Sequence, residues 1–270
     1  MRLYWGGTRL YWEVGLRGFR RYATYRWATI AGVFTNTAFG FFTAYIYIAV
    51  FEALPRIGGF TVTDALTYNF IVQGMLMPLY IWGWTEIAET VRTGQVATDL
   101  YRPVDYQLYW LAQDLGRAVY HALLRGIGPF VVGSLVFSLR IPTSPVTWVA
   151  FAAGFLLAVT VSFALRFMVN LSSFWLLEIR GVVTIAGAAW TLLSGFLVPI
   201  AFFPDGVREV VRMLPFVAMI ALPADVFLER VTGVEILASL GLQLAWALVL
   251  LAAGRVVLSA ATRKLVVQGG

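Results

Sequence analysis

Six stretches of mostly apolar residues run through the sequence, at roughly Trp27–Phe51, Ala65–Trp84, Val119–Leu139, Val146–Val169, Gly181–Phe203 and Val234–Val257. Each has the length, about 20 residues, that a helix needs to cross the hydrocarbon core of a bilayer. The residues between them are too few for a separate soluble domain. Of the 270 residues, 60% are hydrophobic and 13% are charged, and the mean hydropathy is +0.79. A soluble domain carries about twice that charged share and cannot hide so much apolar surface. An ordinary soluble enzyme, a disordered chain and a fibrous repeat are excluded. The expected fold is an all-α polytopic membrane protein with six transmembrane helices.

The net charge of +6 comes from 20 basic residues against 14 acids, and Lys264 is the one lysine. With the N-terminus cytoplasmic, the inside segments hold Arg2, Arg9, Arg17, Arg20, Arg21, Arg26, Arg92, Arg102, Arg117, Arg125, Arg166, Arg180, Arg255, Arg263 and Lys264. The outside segments then hold Arg56, Arg140, Arg208, Arg212 and Arg230. The positive-inside rule places both termini in the cytoplasm. The charge therefore records topology, and nucleic acid is not an expected partner. The expected organisation is a cytoplasmic segment 1–26, a six-span domain 27–257 and a cytoplasmic tail 258–270.

Residues 8–26 read as an amphipathic helix in the membrane interface. Trp12, Leu16, Phe19 and Ala23 share one face, and Glu13, Arg17, Arg20, Arg21 and Thr24 another. This is either a topology anchor or an elbow that cuffs the bundle and meets a cytoplasmic partner. Leu3-Tyr4-Trp5 recurs as Leu10-Tyr11-Trp12, which is too little for a repeat architecture. The longest inside loop is 85–118. In it Glu86, Glu89 and Arg92 share one side of a short helix, Gly94 stops that helix, and Pro103 makes Arg102 extended. It is either a solvated loop or a segment against which a partner pushes. Outside, residues 204–233 contain two proline-broken apolar pieces, expected as re-entrant or interfacial helices.

Within the spans, Gly32, Asn36, Gly40 and Ala44 recur every fourth residue, as do Gly187, Thr191 and Gly195. Such stripes allow close helix approach, within one bundle or between subunits. Pro78, Pro129 and Pro199 are expected to kink their helices. Asn36, Gln73, Asn170 and Gln243 are polar but uncharged, and no carboxylate is expected in mid-span. A proton- or sodium-driven carrier usually needs one.

Several chemistries lack their residues. With no cysteine there is no disulfide, iron–sulfur cluster or thiol nucleophile. His121 is the single histidine, too few for a zinc-protease motif, and reads as an interface residue. A phosphate-binding loop needs a lysine after its glycines, and Lys264 lies in Thr262-Arg263-Lys264-Leu265. Glu86 and Glu89 lack the further histidines of an intramembrane protease.

The segment Arg92-Thr93-Gly94-Gln95 followed by Leu100-Tyr101-Arg102-Pro103-Val104-Asp105 resembles the cytoplasmic coupling segment of the permease subunit of type-2 ATP-binding-cassette exporters. Ser173-Phe174-Trp175, Phe203-Pro204, Leu214-Pro215-Phe216 and Pro223 resemble later landmarks of the same family. The resemblance implies an N-terminal elbow, a coupling helix and short re-entrant outer helices. It implies a chain that is not itself an enzyme and holds no cofactor. ATP and Mg2+ would sit on a separate ATPase subunit, present in two copies, below a bacterial plasma membrane. A second permease, a copy or a sibling, would complete the pathway. The resemblance assigns ATPase coupling to Glu86, Glu89, Arg92, Gly94, Arg102 and Pro103. The permease interface or pathway is expected at Gly32, Asn36, Gly40, Gln73, Gly187, Thr191 and Gly195. An apolar pathway suits an amphipathic or hydrophobic cargo. The alternatives are an ATP-independent secondary carrier or channel, and a membrane scaffold.

Overall fold

The computed structural model describes residues 4–80, 82–176 and 178–264. Among these the elements are α1 (Tyr4–Ala23), α2 (Arg26–Ala53), α3 (Val62–Leu79), α4 (Glu86–Arg92), α5 (Gln95–Tyr101), α6 (Tyr106–His121), α7 (Ile127–Val136), α8 (Pro145–Leu171), α9 (Arg180–Leu193), α10 (Asp205–Arg212), α11 (Ala221–Phe227) and α12 (Val234–Thr262). No strand is present among the described residues. The motif Leu3-Tyr4-Trp5 falls partly outside them.

Four helices are long and apolar enough to cross a membrane: α2, the continuous run Tyr106–Val136, Pro145–Phe174 and α12. The second and fifth expected spans are shorter. α3 has 18 residues and α9 has 14, or about 27 and 21 Å at 1.5 Å per residue. α9 ends at Leu193 because Gly195 takes a left-handed φ of +90°. Pro199 therefore lies beyond the helix it was expected to kink.

The third span also differs from expectation. Its helix starts at Tyr106, not Val119, so residues 106–118 of the expected loop are helical. α6 buries Tyr106, Trp110, Asp114, Arg117 and His121, three or four residues apart. Polar residues on that buried face lower the hydropathy and disguise the helix as a loop. A π-helical turn, Ala122–Gly126, joins α6 to α7. Pro129 explains its place: a proline removes the hydrogen bond to the carbonyl four residues back, that of Arg125, and crowds it.

α3 lies at the centre, with buried residues on every side, and packs against α2, α6, α7, α8 and α11. A capping box of Thr61 and Asp64 starts it. α1 lies along α6, held there by glycines. A Cβ on Gly116 would overlap the Gly15 carbonyl, and one on Gly18 the Gln113 carbonyl. The docking face of α1 thus runs through Val14, Gly15 and Gly18, and Trp12 of the expected apolar face is 68% exposed.

At the end where α12 begins, Arg140 pairs with Asp64 at 3.0 Å and donates to the Leu228 carbonyl. Arg230 donates to the carbonyls of Gly58 and Gly59. Residues 204–233 fold there into α10, a 3-10 turn at Pro215–Ala218 and α11.

Candidate functional site

The short polar helices α4 and α5 form a hairpin at the end of the bundle where α12 finishes, with Arg255 of α12 paired to Asp105 beside it. Glu86 and Glu89 sit in the first turn of α4 and Arg92 in its last, each opposing the local end of the helix dipole. Gly94, at φ +76°, turns the chain from α4 into α5, a conformation glycine adopts without strain. Arg102 is extended, at ψ 139°, as the following Pro103 requires. α5 itself was not anticipated from the sequence, where residues 95–101 read as part of a turn.

One face of the hairpin is buried and the other is open. Ile87, Ala88 and Val96 are buried, and Val91 and Leu100 join them against Trp84, Tyr106, Trp110, Phe163, Phe167, Leu171 and Phe174. Asn170, near the end of α8, clamps this seat. Its side chain donates to the Trp84 carbonyl at 2.9 Å and accepts from the Ala88 amide at 3.1 Å. Glu89, Arg92, Thr93, Gly94, Gln95, Tyr101, Arg102 and Pro103 face outward. Arg92 grips Glu89 through two hydrogen bonds, of 2.8 and 3.1 Å. That grip holds the Glu89 carboxyl below its usual range and the Arg92 guanidinium above its own. Glu86 turns inward to meet Arg21 of α1 at 3.0 Å, and Arg102 pairs with Asp99 at 3.1 Å.

Directly beneath the hairpin lies a buried charge cluster that the sequence reading missed. Asp114, Arg117 and Arg166 are 3%, 2% and 2% exposed. Asp114 accepts from Arg117 Nε at 2.8 Å and from Arg166 at 2.7 Å. Arg117 also donates to the carbonyls of Met77 and Pro78, and Ser162 donates to that of Leu79. These are the last carbonyls of α3, which have no partner within the helix, and a cation there also opposes the helix dipole. The guanidinium of Arg117 lies 4.5 Å from the centre of the Tyr80 ring, and that of Arg166 lies 4.9 Å from the Trp84 ring. The cluster thus joins α3, α6 and α8 at the point where α3 hands over to the hairpin.

This corrects two expectations. Arg166, counted as an inside loop arginine, is buried in the bundle. The interior is also not free of carboxylates, because Asp114 lies within the helix of the third expected span. Asp114 is held between two arginines near the helix's inner end, so it does not offer the free carboxylate of an ion-coupled carrier. The spacing Asp114–Arg117 and the lone Arg166 in an apolar helix were the available signals.

The small-residue stripes pack inside the chain. Gly32 lies under the Arg125 guanidinium, Asn36 donates to the Gln73 carbonyl at 3.1 Å, and Gly40 abuts Phe70. Gly187 sits under Trp82, whose indole donates to Thr191 at 3.0 Å. The Gly195 carbonyl accepts from Tyr68 at 2.7 Å. The outward faces of α2 and α9 carry other residues, among them Phe34, Phe42, Ile185 and Leu192.

Apolar spanning helices around a buried core, with a keyed polar hairpin at one end, define a multi-pass helical membrane protein. The chain belongs to the ABC-2 family of transporter proteins, whose model matches residues 35–269. It is accordingly the permease subunit of a type-2 ABC transporter, a class that works with an ABC ATPase. Comparisons with curated proteins and with solved structures found no match.

Proposed function

We propose that this permease is driven through the α4–α5 hairpin by a separate ATPase and exports an amphipathic or hydrophobic cargo. The observation that carries the reading is the two-sided hairpin. Its outer face presents polar and charged groups together with Tyr101, which is 81% exposed. Its inner face is seated in the ends of α6 and α8, next to the charge cluster that caps α3. A force on the outer face therefore has a packed route into three membrane helices. Glu89, Arg92, Gly94, Arg102 and Pro103 form the docking surface, and Glu86 ties the hairpin to α1.

In this reading both termini and the hairpin are cytoplasmic, in a bacterial plasma membrane. α3 and α9 complete six crossings, with α9 extended by the turns that follow it. Two ATPase copies hold ATP and Mg2+. A second permease, identical or sibling, pairs through the outward faces of α2 and α9, because the Gly32–Asn36–Gly40 stripe is already filled. Among the described residues, the charged groups buried between the helices are paired or cap carbonyls, apart from Arg125. That favours an apolar or amphipathic cargo over a naked ion.

The chain has no cysteine, so a single engineered thiol tests the reading directly. Thr98→Cys on the hairpin should cross-link to the ATPase and react with impermeant thiol reagents only from the cytoplasmic side. Val207→Cys on α10 should do neither. Labelling of Thr98→Cys from outside the cell, or no ATPase adduct in an active complex, would overturn the proposal.

A further inference from the structure

Arg125 stands among the membrane helices and has no part in the coupling reading. It lies in the π-helical turn Ala122–Gly126. Arg117 and Arg166 share Asp114, whereas Arg125 has no ion pair or hydrogen bond among the described residues. Its Nε is buried without a partner among the described residues, while the residue as a whole is partly buried. The guanidinium lies across Gly32 of α2, where any side chain would overlap it. The glycine thus makes the room that the arginine occupies. A π turn holds one residue more than an α turn, which re-aims the side chains by about 100°.

The position sets the depth. α2 starts at Arg26, six residues before Gly32, about 9 Å along the axis. Helical side chains lean toward their own N-terminus, which for Arg125 is the end that carries the hairpin. The charge therefore stands in the leaflet on that side, close to headgroup level. Next to it, Leu124 of the same helix is exposed, as are Val131, seven residues on and so on the same side, and Ala28 and Ala31 of α2, four residues and one residue before Gly32. The Thr29 and Tyr120 hydroxyls, bonded to each other at 2.7 Å, lie about a turn nearer the headgroups.

An arginine stays protonated in a protein, and an unpaired one among membrane helices is costly. A forked cation suits a phosphate, and apolar flanks on both sides suit acyl chains. We propose that the groove between α2 and the π turn is a binding site for an anionic phospholipid, its phosphate on Arg125 and its chains along Leu124, Val131, Ala28 and Ala31. A soluble phosphate would leave those apolar flanks bare. The proposal rests only on the membrane reading, and its test involves no ATPase.

The full chain is placed in nanodiscs of equal phosphatidylglycerol and phosphatidylcholine, extracted in mild detergent, and its retained lipid counted by native mass spectrometry. The wild type should keep one phosphatidylglycerol per chain in preference to phosphatidylcholine. Arg125→Gln should lower that retention about tenfold, and Arg263→Gln, an exposed arginine at the end of α12, should leave it unchanged. Excess glycerol phosphate should not displace the lipid. Equal retention of the two lipids by the wild type, unchanged retention in a folded Arg125→Gln, equal loss in Arg263→Gln, or displacement by glycerol phosphate would each overturn the site. If Arg125→Gln does not fold, Arg125→Lys is read instead. It keeps the charge but loses the fork, so retention should drop several-fold, and unchanged retention would overturn the site.

Discussion

Replacing Asp114 by asparagine removes one negative charge from between two arginines and leaves the shape of the site nearly unchanged. Arg117 keeps the Met77 and Pro78 carbonyls and the Tyr80 ring. Arg166 keeps Ser162 Oγ at 3.2 Å, the aromatic faces of Trp84 and Tyr80, and at most a share of the single uncharged amide oxygen, for which Arg117 competes. The cost therefore falls mainly on Arg166, which is buried and has no second acceptor of full strength. Breaking a buried pair in this way costs about 3–5 kcal/mol. For a chain of this size that corresponds to a fall in melting temperature of roughly 6–20 °C. Removing both sides, as in Asp114→Leu with Arg166→Met, should cost less than Asp114→Asn alone, because no orphaned charge remains on α8. The assay is the fraction of monodisperse protein surviving a heating series in detergent, read by size-exclusion chromatography. A melting temperature for Asp114→Asn within about 2 °C of the wild type would refute the argument. So would a double variant whose loss equals the sum of the two single losses.

Gly116→Val should undock α1 from α6 by overlap with the Gly15 carbonyl, visible as faster proteolysis within residues 8–24. Arg21→Ala, at a half-exposed pair with Glu86, should change stability by less than about 1 kcal/mol and leave that proteolysis rate alone. Asn170→Ala removes the clamp on Trp84 and Ala88; it should cost about 1–3 kcal/mol and reduce transport-linked ATP hydrolysis more than ATPase binding. Gly94→Val forces a β-branched residue to a φ of +76°. It should cost about 1–3 kcal/mol and weaken ATPase association, measured as the yield of copurified ATPase.

The helical membrane class was legible because apolar runs of spanning length have few other uses. α2, α8 and α12 fall close to where those runs place them. The hairpin start was legible too, since Glu86, Glu89, Arg92 and Gly94 each obey a local rule of helix ends. The start of α6 was not, because its buried face carries Asp114 and Arg117 and so lowers the hydropathy that flags a span. Nor was the docking of α1: an apolarity pattern picks Trp12, whereas close approach depends on Gly15, Gly18 and Gly116, which such a pattern ignores. Arg166 shows the limit of counting charges. Its sign was used as a topology marker, and its burial depends on a partner 52 positions away. The stripes at Gly32 and Gly187 could be read as close-packing surfaces, but not whether the surface they meet lies in the same chain.

The claim on which the account turns is that the outer face of the α4–α5 hairpin receives the ATPase. Its most direct test is copurification of the full chain with its ATPase subunit in mild detergent, comparing the wild type with a variant carrying Glu89→Lys, Arg92→Glu and Tyr101→Ala. These side chains lie on the open face, so the variant should insert, stay monodisperse and lose the ATPase. A variant that still recovers the ATPase at the wild-type ratio, or a wild-type assembly that contains none, would contradict the account.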